Sequence, residues 1–83
     1  MATRNEAPAL MAIHPGSILK EELMERGISQ KDFAKRIEMQ PSHLSEIIKG
    51  KRSITKQVAD KLEEALGIPS IDWVNLQIRF DYD

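Results

Sequence analysis

One stretch of this chain concentrates side chains able to read and grip a nucleic acid. Gln40, Pro41, Ser42, His43 and Glu46 fall close together, and Lys49, Lys51, Arg52 and Ser53 follow at once. A glutamine amide can pair bidentately with adenine in the major groove, and a serine hydroxyl serves either base of a pair. A histidine adds another hydrogen-bonding group, and a proline ring can lie against a thymine methyl. Lysine and arginine carry the charge that phosphate contacts need, and these contacts position a protein on the duplex. Gln30, upstream, adds an amide that can face a phosphate together with nearby backbone N–H groups. Glu46 repels phosphate, so its place here points either to base selection or to pairing with Lys49, three positions on.

Charge distribution supports a nucleic-acid partner even though the net charge is −1. Eight of the twelve bases but only four of the thirteen acids lie between Gly27 and Lys61. A basic middle between acidic ends can present one positive face to DNA. Other chemistry finds little footing. The chain has no cysteine, which fits a reducing cytoplasm and excludes thiolate metal sites and thiol nucleophiles. His14 and His43 are isolated from any carboxylate or second ligand at metal spacing, so no metal or other cofactor is expected. Glu21, Glu22 and Glu25 read as a solvated helix face rather than a catalytic cluster. The serines have capping or surface roles, and there is no glycine-rich phosphate loop. The chain is not expected to be an enzyme.

The elements that must position these residues are helical. Residues 1–13 lack periodicity and are expected to be a flexible tail, ahead of a single domain over residues 14–83. Pro8 interrupts the short apolar run near the start, so that run does not read as a secretory signal. No segment approaches the roughly 18 apolar residues of a membrane span, so no membrane partner is expected. Pro15 suits a first helical turn. Ile18, Leu19, Leu23 and Met24 then form an apolar stripe that Gly27 terminates. Ser29 caps a second helix, with Asp32 completing a weak capping box, and Phe33, Ala34 and Ile37 point inward. Glu38-Met39-Gln40 makes a turn before Pro41 opens a third helix.

That third helix buries Leu44, Ile47 and Ile48, which leaves Ser42, His43, Ser45, Glu46 and Lys49 toward solvent. Gly50 ends it and Lys51-Arg52-Ser53 forms a basic loop. Thr55 caps a fourth helix with Val58, Ala59, Leu62, Ala65 and Leu66 inward, closed by Gly67 and Pro69. Two short helices around a tight turn over residues 29–49 are a helix-turn-helix, whose second helix lies in the major groove with its N-terminal residues at base edges.

From Ser70 to Asp83 the pattern is ambiguous. Val74, Leu76, Ile78, Phe80 and Tyr82 alternate with other residues as in a strand. Yet Ser70 is a good N-cap, Asp72 favours a helix start, and no other segment offers a strand partner. Helix is the preferred reading, with a strand paired across a dimer as the alternative. The helix would carry two apolar faces. Trp73, Leu76 and Phe80 would close the core, while Ile71, Val74 and Ile78 would meet a second subunit. A chain this short has a small core, so association is a reasonable source of added stability. A homodimer predicts a palindromic operator, with half-sites one helical turn or a multiple apart.

The stretch from Ser29 to Leu66 resembles the lambda-repressor-like, or XRE-type, helix-turn-helix domains. Two flanking motifs narrow the resemblance. His14-Pro15-Gly16, followed by Ile18-Leu19 and Glu22-Leu23, is similar to the HPG-x-I-L-x-E-E-L opening of HigA-type antitoxins. Trp73-x-Asn75-Leu76-Gln77, followed by Phe80-Asp81, is similar to the W-x-N-L-Q-x-x-[YF]-D close of the same family. The resemblance implies a five-helix, all-α dimer that represses its own operon and neutralises a RelE-like ribonuclease toxin. It implies that the closing motif is helical, that Gln30 holds a phosphate, and that Gln40 to His43 and Glu46 occupy the DNA-reading positions. Ser17 stands where the family usually has glutamate, Gln40 where it has a serine or threonine cap, and Lys56 where proline is frequent. A solitary XRE-type regulator without a toxin, or a module that chiefly binds a toxin, are the alternative readings.

Overall fold

The computed structural model describes residues 13–82. The tail expected over residues 1–13 lies, but for Ile13, outside the described residues. Five helices follow one another and no strand occurs among the described residues: α1 Pro15–Arg26, α2 Gln30–Arg36, α3 Pro41–Ile48, α4 Lys56–Leu66 and α5 Ser70–Tyr82. The expected all-α, five-helix architecture is therefore the observed one, and the closing segment is a helix rather than a strand.

Local chemistry explains most of the boundaries. The Ser29 hydroxyl accepts the N–H of Asp32 at 3.1 Å, and the Thr55 hydroxyl accepts that of Val58 at 3.3 Å. Each bond satisfies one of the donors a helix start leaves open. Three helices end in the same 6→1 and 5→2 bond pair, with a left-handed residue at the exit. In α1 the residue is Gly27, with Ile28 N–H bonded to Leu23 O at 2.9 Å. In α3 it is Gly50, with Lys51 N–H bonded to Glu46 O at 2.8 Å. In α2 it is Glu38, a non-glycine at φ 56°, with Met39 N–H bonded to Ala34 O at 2.8 Å. A side chain in that region costs about 1–2 kcal/mol, so the turn of the helix-turn-helix is held under local strain.

The core draws on every helix. Leu19, Leu23, Phe33, Ala34, Leu44, Ile47, Ala59, Leu62 and Trp73 are essentially inaccessible to solvent, with Ile54 entering from the loop before α4. The helix α5 packs on α4 and touches α1, while α1 leans on α3. Gly16 makes that last contact possible. A Cβ there would collide with the Ile47 carbonyl oxygen and sit 2.8 Å from its carbon and 2.9 Å from Ile48 Cα. The helix α3 is thus seated directly on the first turn of α1.

Two expectations about packing are corrected. Met24, placed in the inward stripe of α1, is 70% exposed. Pro15, Gly16, Leu19 and Leu23 already define the buried face, and position 24 lies about 100° further round the helix. Ser70, expected as an N-cap, is the first helical residue of α5. Its N–H is satisfied by the carboxylate of Glu63, one helix earlier, at 3.0 Å.

Candidate nucleic-acid interface

The residues with DNA-binding chemistry sit on α3, on its exit loop and at the start of α2. Gln40 is the N-cap of α3 and makes no side-chain capping bond, so its amide is free for an outside partner. Pro41 and Ser42 are exposed, and His43 is half-buried. Pro41 supplies the first turn with a preset φ and no N–H to satisfy. Ser42, Glu46 and Lys49 are spaced four and three residues apart and share one helix face. Leu44, Ile47 and Ile48 are pinned in the core behind them, which fixes the rotation of the helix. Gln30, the first residue of α2, is also exposed.

The basic loop is more ordered than its composition suggests. Gly50, at φ 81°, turns the chain back so that Lys51 N–H reaches Glu46 O. The Glu46 carboxylate then takes two hydrogen bonds from Arg52, from Nε at 2.9 Å and from Nη2 at 2.7 Å. The pairing with Lys49, one of the two readings of Glu46, is therefore replaced by a pairing with Arg52. Lys49 caps the end of α3, and the reversal after it carries Arg52 back alongside Glu46. The hydrogen bond from Arg52, followed by its charge, holds the Glu46 carboxyl below the usual glutamate range. Lys49, Lys51, Arg52 and Ser53 are all exposed.

A residue that reasoning from side-chain chemistry passed over holds the far end of this loop. Gln77 of α5 is 8% exposed, and its Oε1 accepts the N–H of Ile54 at 2.8 Å. Its Nε2 donates to Asp81 Oδ1 at 3.0 Å. Near the other end, the His14 ring lies against Gly50, where a Cβ would come within 2.9 Å of it. Phe80 meets that ring edge-on at 5.8 Å. The two terminal motifs, HPG and W-x-N-L-Q-x-x-F-D, thus converge on the loop that leaves α3. The motifs themselves were the signal for these positions. Their role depends on a meeting of chain ends that no local pattern encodes.

Of the three residues expected to pair subunits, Ile71 and Ile78 lie on the outer side of α5, while Val74 packs in part against the core. Ile71 and Ile78 are 59% and 46% exposed, and Val74 is half-buried. Together with Ile54 and Lys56 they line a mainly apolar surface groove. Among the described residues no cluster of three or more His, Cys, Asp or Glu could hold a metal ion. None of the described helices is long and apolar enough to cross a membrane.

A helix-turn-helix family model matches residues 19–73. The chain belongs to that family and is a DNA-binding helix-turn-helix protein of the XRE type. Its relatives and structural neighbours are more particular. The uncharacterized HTH-type transcriptional regulator YddM of Escherichia coli is 39% identical over 69 residues, covering 81% of this chain and 73% of that one. The structure of an addiction module antidote protein of the HigA family from Coxiella burnetii superposes with a TM-score of 0.81 at 36% identity, covering 86% and 78% of the two chains. The antitoxin HigA of Pseudomonas aeruginosa, solved with the higBA promoter, superposes with a TM-score of 0.82 at 30% identity over 86% and 78%.

Proposed function

We propose that this chain binds operator DNA as a homodimer and represses its own operon as the antitoxin of a toxin–antitoxin pair. The observation that carries the reading is the arrangement of α3, whose exposed N-terminal turn runs into a basic loop anchored at both ends. In the bound state Gln40, Pro41, Ser42 and His43 face base edges in the major groove, with Glu46 beside them. Gln30, Lys49, Lys51, Arg52 and Ser53 meet phosphates on either side. Ile71, Val74 and Ile78 pair two copies, so that two α3 helices address a palindrome with half-sites one or more helical turns apart. Similarity to a HigA solved with promoter DNA supports both the DNA partner and the antitoxin role. The protein partner is a RelE-like ribonuclease toxin, held inactive in the complex.

A gel shift on the DNA upstream of the chain's own reading frame tests the operator. Lys49, Lys51 and Arg52 from two protomers give a slope of about −5 in log affinity against log salt. The double change Lys51→Ala/Arg52→Ala reduces it to about −2. Binding that survives this change undiminished overturns the assignment of the loop. Co-expression with the adjacent reading frame tests the partner, and the antitoxin reading requires a small protein that co-purifies. A solitary regulator is the second reading, consistent with similarity to YddM, an uncharacterized HTH-type transcriptional regulator by name. It predicts operator binding with no such companion.

A further inference from the structure

Lys51, Arg52 and Ser53 hang between two fixed points. One is the bond from Lys51 N–H to Glu46 O at 2.8 Å, which belongs to the end of α3 itself. The other is the bond from Ile54 N–H to Gln77 Oε1, made across 23 residues of sequence. Gln77 is a buried polar side chain in an otherwise apolar core, and burial without partners would cost it heavily. It is not without partners, and the two it has are of opposite kind. Ile54 N–H can only donate and the Asp81 carboxylate can only accept. A single orientation of the amide satisfies both. Asp81 therefore selects the orientation of Gln77, and Gln77 fixes the backbone where the basic loop rejoins the core.

The rest of α5 repeats the connection. Phe80, three residues beyond Gln77, packs against His14, which covers Gly50 at the head of the same loop. Within the loop Arg52 is tied to Glu46, but Lys51 and Ser53 place no side chain in the core, so without the bond to Gln77 the backbone there would sample more states. Each phosphate contact would then carry an ordering cost. We infer that Gln77, oriented by Asp81, is a positioning residue for DNA binding: it holds Lys51–Ser53 in the geometry that meets phosphate without touching DNA. The inference rests on the DNA-binding reading above and adds to it a determinant outside the helix-turn-helix.

The test exchanges donor and acceptor between the two residues. Gln77→Glu keeps an acceptor for Ile54 N–H but sets a carboxylate against Asp81, so the side chain is driven from its site. Asp81→Asn alone leaves an oxygen to accept from Gln77. In the double variant Gln77→Glu/Asp81→Asn, the new amide at position 81 donates to the new carboxylate at position 77. The hydrogen bond between the two positions then runs the other way, and the bond to Ile54 is regained. All variants are assayed on the upstream duplex, well below their melting temperatures. Dimer content is followed by sedimentation and Ile54 amide exchange by NMR.

The expected result is about a tenfold loss of operator affinity for Gln77→Glu, with a salt slope shallower by about 2, one lost contact per protomer. Ile54 exchange should be faster. Asp81→Asn should stay within about twofold of the starting protein, and the double variant should regain affinity, slope and protection together. A stably folded Gln77→Glu protein with unchanged affinity and slope overturns the inference. So does a double variant that recovers Ile54 protection but not DNA affinity. If Gln77→Glu does not fold, Asp81→Ala, a change at an exposed residue, takes its place. A shallower slope in it sustains the inference and an unchanged slope overturns it. Failure of the starting protein to bind any duplex would instead count against the DNA-binding reading itself.

Discussion

Gly16 offers the sharpest test of how the recognition helix is held. In Gly16→Ala the new methyl would lie 2.8 Å from the Ile47 carbonyl carbon and 2.9 Å from Ile48 Cα, besides colliding with the Ile47 oxygen. Carbon atoms in contact sit about 3.5–4.0 Å apart, so α1 and α3 must separate by roughly 1 Å. Both partners in the clash are backbone, and no rotamer change can relieve it. Overpacking of this sort costs about 1–3 kcal/mol, and a main-chain clash belongs at the upper end. Alanine returns about 0.5–1 kcal/mol through its better helix propensity. The net loss is therefore about 2 kcal/mol, which for a domain of this size lowers Tm by roughly 8–16 °C. Circular dichroism melts at 222 nm, paired with urea titration, read this directly. Lys20→Ala, an exposed change on the same helix, serves as control. The residual folded protein should also bind operator DNA more weakly, because the displaced helix is α3. A fall in Tm of less than about 3 °C would show that α1 can move off α3 freely, and the account of Gly16 would be wrong.

Three further outcomes are expected. Glu38→Gly relieves the left-handed strain in the turn and should stabilise the fold by up to about 1 kcal/mol; a lower urea midpoint would contradict this. Arg52→Ala should return the Glu46 carboxyl from its depressed position toward the ordinary glutamate range, measurable by carboxyl-carbon NMR titration. Because the folded-state pKa is the lowered one, what the pair contributes to stability is present above the unfolded-state pKa and lost as pH falls through the folded one. An unchanged Glu46 titration would mean that Arg52 is not its partner in solution. Ile71→Asp/Ile78→Asp places charge on the exposed face of α5 and should give a folded monomer by sedimentation. Removing α5 altogether would not be a clean test, since it also removes Trp73 from the core. A double variant that remains a dimer would place the interface elsewhere.

Several features were legible from local rules because their causes are local. A cap needs an oxygen at a fixed offset from an N–H, so Ser29 and Thr55 mark their helices by residue type alone. Left-handed exits at Gly27, Gly50 and Gly67 follow from the missing Cβ. The period of Leu44, Ile47 and Ile48 sets which side of α3 faces outward, and so which side chains are candidates for DNA contact. The stripe of α1 could not decide between Leu23 and its neighbour Met24. Both are apolar and adjacent, and only the seat of α1 on α3 chooses between them.

The sequence by itself determined four helices, with polar side chains turned outward on the third and a basic loop behind it, and a preference for helix in the closing segment. Tertiary structure decided how that outward side is held. The conflict in α5 between alternation and capping was settled by burial, with Trp73 and Gln77 one turn apart on the inward side. Glu46 found Arg52 rather than Lys49 because the chain reverses at Gly50 and brings a residue six positions away into contact. Gln77 became a brace for Ile54 because α5 packs back across the bundle. Periodicity and capping act within a few residues along the chain, whereas each of these pairings depends on where a distant segment returns.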